Sequence, residues 1–313
     1  MSHLVQAARQ VIDEVGRVVS GKDECVEKVM AAIIAKGHIL IEDIPGVGKT
    51  TMAVAFSKAM ELTHSRVQFT PDVLPSDVTG FSMYEKDKGT FQYMEGPVMS
   101  NIFLADEINR TSPKTQSALL EVMEEGAVTI DGKTFAVPTP FIVIATQNPV
   151  GSAGTQMLPE SQLDRFMISL QMGYPELKDE MNMLKQRERI NPLEEVRPIL
   201  TAEGLREIQN GVDEVYIHDV IYEYITRLAR KTREHEELKL GVSPRGALAL
   251  SKMTKAVAFL RGRDYVQPDD VLDIFPAVTA HRILLKSGVN TQQKKQQILE
   301  EVVRTVKKPV PKA

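Results

Sequence analysis

The sequence predicts an α/β domain, built on a parallel β-sheet flanked by helices, followed by a smaller helical domain. Short apolar runs typical of buried parallel strands alternate with amphipathic helical patterns up to about residue 175. One of these runs leads into a glycine-bearing loop and a helix. Beyond that point the strand signals stop, while helical periodicity continues from about residue 201 to residue 306.

The first domain is predicted to span residues 1–188. Apolar residues at helical spacing predict an amphipathic first helix over residues 4–15 and a second helix that ends at Gly37. Five strands follow, and all but the second are apolar runs. They are predicted at residues 39–41, 66–70, 102–105, 141–145 and 167–170.

Two hairpins interrupt the alternation of strands and helices. Residues 81–93 alternate around Asp87-Lys88-Gly89, and residues 128–137 alternate around Asp131-Gly132. Asp-Gly between alternating residues is a strong hairpin signal. The second domain, residues 189–313, is predicted to be entirely helical.

Composition is that of a globular protein without a general attraction to nucleic acid. The 313 residues carry a net charge of −4, and a local basic groove is still compatible with that value. The single Cys25 excludes an internal disulfide and fits a reducing cytoplasm; its apolar neighbours predict a buried structural thiol. No segment approaches a membrane-spanning length, so we expect a cytoplasmic protein without membrane insertion.

Residues 39–51 combine an apolar strand, a loop and the start of a helix. The loop glycines let backbone N–H groups turn toward phosphate oxygens, Lys49 is placed to reach the β- and γ-phosphates, and Thr50 offers a hydroxyl to Mg²⁺. The positive end of the helix points at the same anions. Asp43 stands where the generic pattern has its first glycine, which we interpret as a variant of the loop. The predicted ATP-binding residues are Pro45, Gly46, Val47, Gly48, Lys49, Thr50 and Thr51.

Two acids follow the strand at residues 102–105. In P-loop enzymes the first acid of such a pair, here Asp106, orders the Mg²⁺ shell together with Thr50. The second, Glu107, is placed to orient and deprotonate the attacking water. A polar turn after an apolar strand is the alternative reading, and the Lys49-Thr50 loop upstream favours the catalytic one. The predicted metal ligands are Thr50 and Asp106.

Asn148 follows the strand at residues 141–145. Its neutral amide is suited to a hydrogen bond with the γ-phosphate or the water, although an Asn-Pro turn explains the same residues. Position favours the first interpretation. The phosphate loop, the acid pair and Asn148 all come just past the carboxyl ends of predicted strands, where ligands bind in open α/β sheets.

Two arginines are further candidates. Arg165 comes just before the last strand, and a guanidinium suits the charge of a transferring phosphoryl group; taken alone, a surface pair with Asp164 is the simpler reading. Arg245 lies in the first turn of a helix capped by Ser243, where the helix dipole disfavours a cation by ~0.3–1 kcal/mol. Because this breaks a local rule, we expect Arg245 to contact phosphate from the second domain.

The ordered set of motifs resembles the AAA+ ATPases, and within them the MoxR family, across nearly the whole chain. The motifs occupy residues 45–50, 68–80, 106–110, 145–149, 163–166 and 243–245. Residues 69–80 look especially like MoxR proteins rather than AAA+ proteins at large. Residues 150–156 depart from the acid-bearing form usual in the family, and we attach no function to that difference.

The resemblance implies roles for the candidate residues. Asp106 and Glu107 correspond to the Walker B pair, Asn148 to sensor 1, Arg165 to the arginine finger and Arg245 to sensor 2. The hairpins look like the helix-2 and pre-sensor-1 inserts of this clade. The family further implies a homo-oligomeric ring, usually hexameric, with ATP at subunit boundaries. It also implies chaperone-like remodelling or maturation of a client protein, often with a von Willebrand factor A domain partner.

The predicted function is therefore Mg²⁺-dependent ATP hydrolysis that does conformational work on a protein client. Two other classes remain open. One is a nucleic-acid-translocating motor, because Lys86, Lys88 and Lys133 lie on the hairpins. The other is a nucleotide-gated scaffold with little turnover. Stimulation of the ATPase rate by DNA would favour the motor, and tight nucleotide binding with a negligible rate would favour the scaffold.

Overall fold

The structure is a computed structural model that describes residues 2–44, 46–148, 158–187, 191–287 and 291–309, without the side chains of residues 182 and 185–187. In the α/β part the helices are α1 (Ser2–Val18), α2 (Asp23–Ile34), α3 (Lys49–Ala59), α4 (Pro75–Thr79), α5 (Pro113–Glu125), α6 (Glu160–Leu163) and α7 (Leu177–Arg187). In the helical part they are α8 (Ala202–Asp213), α9 (Asp219–Arg233), α10 (Pro244–Leu260), α11 (Pro268–Thr279) and α12 (Gln292–Thr305).

The predicted parallel sheet is confirmed. Its strands are β1 (Ile39–Glu42), β2 (His64–Gln68), β5 (Ile102–Asp106), β8 (Ile142–Gln147) and β9 (Ile168–Leu170). They lie in the order β2-β5-β8-β1-β9, and every neighbouring pair is parallel. The carboxyl ends of all five strands therefore meet at one edge of the sheet.

Four of the strands, β1, β5, β8 and β9, are buried on both faces, which explains why they read as apolar runs, whereas the edge strand β2 alternates between exposed and partly buried residues. Ile39 and Ile41 of β1 belong to the larger buried cluster, which includes residues of α1, α2 and α3 and of the helical part. Leu40 faces the other way, into a cluster with α5. Because α1 and α2 pack against α8 and α10 as well, the α/β part and the helical part share the larger cluster.

Both predicted hairpins are present. β3 (Gly80–Glu85) pairs with β4 (Thr90–Glu95), and β6 (Ala127–Ile130) pairs with β7 (Lys133–Ala136). The second turn needs positive φ at Asp131 (+50°) and Gly132 (+75°), which Asp-Gly supplies more readily than other residue pairs. Tyr93 of β4 stacks on Phe135 of β7 with ring centroids 4.2 Å apart, so the two hairpins contact each other.

The helical part departs from the prediction in one respect, because it is not entirely helical. β10 (Leu238–Leu240) and β11 (Leu284–Leu285) form a small antiparallel sheet inside it. Strands of three and two residues are too short to show alternation, so no periodicity indicates them. The predicted division of the domains between residues 188 and 189 lies outside the described residues and stays a prediction.

Two smaller expectations can also be compared with the structure. Cys25 is buried, as predicted, and burial raises the pKa of its thiol to about 12, so it is not a reactive thiolate. Across the described part of the chain, no helix combines the length and the apolar character needed to cross a membrane.

Candidate active site

The strand order brings the candidate loops together at the carboxyl edge of the sheet. β8 lies between β5 and β1, so Asn148, which follows β8, is flanked by the acid pair at the end of β5 and by the loop after β1. Lys49 lies at the start of α3, where the carboxylates of Asp106 and Glu107 act electrostatically to raise the pKa of its ammonium. These residues come from three separate segments of the chain, and the parallel topology alone makes them neighbours.

The loop after β1 has the backbone geometry of an anion site. Gly46 and Gly48 adopt φ of +88° and +97°, backbone conformations that residues with a side chain rarely adopt. The space where a Cβ of Gly46 would lie is empty. Gly48 precedes the first turn of α3, so its neighbours' free N–H groups lie at the positive end of that helix. Val47, Thr50 and Thr51 complete the described loop; Pro45 lies outside the described residues.

Lys49 is buried at the base of this loop. Its ammonium donates to the carbonyl oxygens of Asp43 at 2.8 Å and Ile44 at 3.0 Å. Burial lowers the pKa of Lys49, while the carboxylates of Asp43, Asp106 and Glu107 act in the opposite direction. The ammonium is thus held on the loop's own carbonyls, with a cluster of acids near it.

Asp43, the departure from the generic loop pattern, has a defined structural role. Its Oδ2 accepts hydrogen bonds from the backbone N–H groups of Met172 and Gly173, both at 2.6 Å, where the chain leaves β9. Its Oδ1 accepts from the N–H of Ile44 at 2.8 Å. Since φ of Asp43 is not positive, a glycine is not required here. The carboxylate instead fastens the loop to the segment that leads toward the helical part.

The acid pair is organised by two residues that the sequence analysis did not single out. Thr146 of β8 is fully buried; its hydroxyl donates to Asp106 Oδ1 at 2.6 Å and accepts from the N–H of Glu107 at 2.9 Å. Arg66 of β2 donates to Asp106 Oδ2 at 2.7 Å. Both come from strands next to β5, and only the register of the sheet could have indicated them.

Glu107 has an unusual backbone for a glutamate. Its φ of +56° and ψ of +48° place it in the left-handed helical region, a conformation that costs a residue with a side chain about 1 kcal/mol or more. Its carboxylate accepts a hydrogen bond from Arg110 at 2.7 Å. Near it, the backbone carbonyl of Asn148 accepts from the Asn109 amide at 3.5 Å. The turn after β5 therefore connects the acid pair with the residue that follows β8.

Mg²⁺ fits the oxygens that Thr50 and Asp106 would contribute. Asp106 Oδ1 accepts one hydrogen bond, from Thr146, and keeps a lone pair for a cation, whereas Oδ2 accepts two N–H groups of Arg66. Protein usually supplies only one or two ligands to Mg²⁺ when phosphates and water complete the octahedral shell. Among the described residues, no group of three or more His, Cys, Asp or Glu side chains could hold a metal ion.

The two candidate arginines lie together, away from the phosphate loop. Arg165 precedes β9, whose Ile168 pairs with Ile39 at the start of β1, so Arg165 lies at the amino edge of the sheet. Its guanidinium contacts Glu124 at 2.9 Å, and Arg245 contacts the other oxygen of the same carboxylate at 2.6 Å. The simpler reading, an Arg165–Asp164 surface pair, is not what forms. One acid at the end of α5 instead binds an arginine from each domain.

Asp164 connects the two arginines in a different way. Its carboxylate accepts from the Ser243 hydroxyl at 2.8 Å and from Arg282 Nε at 2.7 Å. Ser243 caps α10, the helix whose first turn carries Arg245, and Arg282 is almost fully buried. Because Asp164 is the residue before Arg165, these contacts fix the start of α10 relative to the arginine at the amino edge.

Thr146 offers a first test of the site. Thr146→Val keeps the shape but leaves Asp106 Oδ1 and the Glu107 N–H without this partner, and a buried unsatisfied group costs about 1–3 kcal/mol. We expect a lower unfolding temperature and a fall in kcat for ATP of about 10-fold or more. Thr226→Val, on the exposed face of α9, is the matched control. Unchanged kcat in Thr146→Val, measured by phosphate release, would contradict this role of the hydroxyl.

Together, the sheet order, the glycine loop with a buried lysine after β1 and the acid pair at the end of β5 define an ATPase of the AAA+ class. Comparisons with known protein families agree. Residues 38–168 match the ATPase family associated with various cellular activities (AAA), and residues 230–302 match the AAA lid domain.

Individual proteins make the assignment narrower. The chain is 48% identical to the uncharacterized protein YeaC of Bacillus subtilis over 302 residues, 96% of this chain and 94% of YeaC. It is 38% identical to Chaperone MoxR1 of Mycobacterium tuberculosis over 315 residues, 97% of this chain and 83% of that protein. The crystal structure of a candidate ATPase from Cytophaga hutchinsonii has a TM-score of 0.90 at 38% identity, covering 98% of this chain and 96% of that one. The chain belongs to the MoxR family of AAA+ ATPases.

Proposed function

We propose that this protein is a Mg²⁺-dependent ATPase that uses hydrolysis for chaperone-like remodelling or maturation of a client protein. The observation that carries the proposal is the convergence of Lys49, Asp106 and Glu107 at the carboxyl edge of the sheet, beside a loop with left-handed glycines. Anion-binding backbone, a cation and two carboxylates are the groups that phosphoryl transfer from ATP to water requires.

Each residue has a role in this reaction. The loop amides and Lys49 would bind the phosphates, and Thr50 and Asp106 would hold Mg²⁺, whose positive charge would stabilise the phosphate oxygens. Glu107 takes a proton from the water whose oxygen forms the new bond to the γ-phosphorus, as the bond to the β–γ bridging oxygen breaks. The Asn148 amide positions that water.

Arg165 and Arg245 support a site that a second copy of the chain completes. Both lie at the amino edge of the sheet on Glu124, whereas Lys49 lies at the carboxyl edge. They would act on ATP bound to a neighbouring copy, and each subunit would supply the same pair to the next. A head-to-tail interface closes into a ring when the rotation between neighbours closes, and we propose a closed ring of six subunits, a hexamer.

A protein client, with a von Willebrand factor A domain protein as partner, is the finer part of the proposal. The similarity to Chaperone MoxR1 supports a chaperone role. The hairpin β3–β4 exposes apolar side chains, Phe81, Tyr84 and Phe91, and its Lys88 is paired with Glu85 at 3.0 Å. An apolar surface whose lysine is already paired with a carboxylate suits a protein partner better than a phosphate backbone. We place this activity in the cytoplasm.

Lys49→Ala tests the nucleotide site. We expect ATP affinity to fall by about 10-fold or more, because a hydrogen bond to a charged group contributes about 1.5–3 kcal/mol. Lysine acts in the ground state as well as in the transition state, so binding itself should weaken. Calorimetric titration with ATP and Mg²⁺ measures the change, and exposed Lys239→Ala is the control. Equal ATP affinity in the two variants would remove Lys49 from the site.

The same preparation separates the alternative functions. A steady-state rate that DNA does not stimulate, together with measurable phosphate release, supports the protein-remodelling ATPase. Stimulation by DNA would favour a nucleic-acid motor, and tight ATP binding without turnover would favour a nucleotide-gated scaffold. Capture of partners by a Glu107→Gln variant, which we expect to retain ATP, would identify the client.

A further inference from the structure

Glu42 is a buried carboxylate directly before the phosphate loop. It is the last residue of β1 and is only 7% exposed. Two of its hydrogen bonds come from the neighbouring strands. The Gln147 amide, at the end of β8, donates to Oε1, and the Ser169 hydroxyl of β9 donates to Oε2 at 2.8 Å. The carboxylate thus joins the strand before the phosphate loop to the strand that leads to Asn148.

A third hydrogen bond comes from the other end of the chain. Gln292, in the first turn of α12, donates from Nε2 to Glu42 Oε2 at 2.7 Å, across 250 residues of sequence. One turn further along α12, Lys295 is also buried. Burial lowers the pKa of the Lys295 ammonium, and the Glu42 carboxylate acts against that lowering more than any other group. The first turn of α12 therefore donates an amide hydrogen bond to the carboxylate at the base of the loop and carries a buried cation that interacts favourably with its charge.

Glu42 has more hydrogen-bond partners than the strands of the sheet alone supply. A buried carboxylate must be hydrogen-bonded and compensated by opposite charge, or it strongly destabilises the fold. Gln147 and Ser169 already supply one donor to each oxygen from within the sheet. The helical part adds a third donor, Gln292, and its buried Lys295 interacts favourably with the charge of Glu42. The carboxylate consequently has its full set of partners only when α12 is docked.

We propose that Glu42 and Gln292 are positioning residues that link the docking of α12 to the affinity of the phosphate loop for ATP. The proposal rests on the proposed function, because it assigns a control point to that same nucleotide site. When α12 is docked, Glu42 is held in place and the loop that follows it is preorganised for phosphate. When α12 moves away, the carboxylate loses an amide donor and a nearby cation, and the strand ends around the loop are less ordered.

Linkage makes this relation reciprocal. A contact that raises ATP affinity when α12 is docked must by the same factor make ATP favour the docked position of α12. Asp43, the next residue, makes a second contact of this kind, because its carboxylate binds the backbone N–H groups of the segment after β9. The adjacent acids Glu42 and Asp43 thereby connect the start of the loop to the first turn of α12 and to the segment after β9.

Gln292→Leu is the test variant, since it preserves size and removes the donor. Gln293→Leu is the matched control: it is the same substitution one residue further along α12, at an exposed position. The measurements are the Kd for ATP with Mg²⁺ by calorimetry, KM and kcat by phosphate release, and amide hydrogen exchange of residues 291–305 with and without ATP. A structural role alone would lower the unfolding temperature without separating KM from kcat.

The expected result is an ATP Kd and KM raised by about 5-fold or more in Gln292→Leu, with little change in kcat, because coupling energies between sites are usually of this size. ATP should slow exchange in the first turn of α12 in the wild type and in Gln293→Leu, and that slowing should be lost in Gln292→Leu. Equal Kd and equal ATP-dependent exchange in the two variants would overturn the proposal.

A complementary pair provides a second test should Gln292→Leu unfold. Gln292→Glu sets two carboxylates against each other and should weaken ATP binding, and Glu42→Gln combined with Gln292→Glu restores one donor and one acceptor across the same contact. Partial recovery of ATP affinity in the double variant supports the link, and additive losses contradict it.

Failure of the proposed function would look different. In that case the wild type itself would bind no ATP, and the link would fail with it.

Discussion

Replacement of Arg165 by Ala is expected to leave ATP binding nearly unchanged and to reduce hydrolysis by about 10³–10⁵-fold, the range that arginine fingers supply in P-loop enzymes. The physical reason is its position. Arg165 lies at the amino edge of the sheet, and the phosphate loop lies at the carboxyl edge. It therefore cannot be needed to bind ATP in its own subunit, but it can stabilise charge on a phosphoryl group held by a neighbour.

Mixing two inactive variants makes the trans assignment testable. In a mixed ring of Arg165→Ala and Glu107→Gln subunits, an intact site forms wherever a subunit that keeps Glu107 meets a neighbour that keeps Arg165. Some activity should then return, although each protein alone is nearly inactive. Specific activity of the wild type should also rise with protein concentration as rings assemble.

Arg227→Ala is the matched control for Arg165→Ala. Arg227 is exposed on α9, where it pairs with Glu223 four residues earlier, so its loss should cost little. The trans role of Arg165 would be refuted by a mixture that stays inactive although mixed rings form, combined with a specific activity that does not change on dilution.

Glu107→Gln is expected to bind ATP as the wild type does and to hydrolyse it about 10²–10⁴-fold more slowly, which is the usual contribution of a general base. Binding should survive because Lys49, Thr50 and Asp106 are unchanged and Thr146 still holds Asp106 through its hydroxyl. The amide can orient a water but cannot accept its proton.

Single-turnover phosphate release measures this loss, and calorimetry measures the retained affinity. Glu121→Gln, an exposed residue of α5, controls for a general effect of removing one negative charge. Turnover close to that of the wild type would exclude Glu107 as the base.

Sequence reasoning succeeded where a local pattern encodes the structure. β1 and β5 are buried on both faces and therefore read as continuous apolar runs, and Asp131-Gly132 specifies its own turn. The neighbourhood of Asn148 followed from one further rule, that ligands meet the carboxyl ends of parallel strands. The fold class and the loops at this edge are accessible from sequence for that reason.

The rest depends on contacts between distant parts of the chain. No sequence pattern indicates that Arg165 and Arg245 share Glu124, because the three residues belong to different helices or loops of two domains. Thr146 reads as an ordinary strand residue until the register places its hydroxyl between Asp106 and the Glu107 N–H. These positions follow from tertiary packing, which periodicity does not contain.

The left-handed backbone of Glu107 has an evolutionary consequence. At φ +56° and ψ +48° a glycine or an asparagine would relieve a local cost that glutamate bears, so selection for thermal stability alone would not keep glutamate there. Selection for catalysis favours glutamate at this position, whereas selection for stability favours glycine or asparagine. A lineage that gave up hydrolysis and kept the fold would be free to exchange Glu107, and the replacement it accepted would show which of the two pressures had been lost.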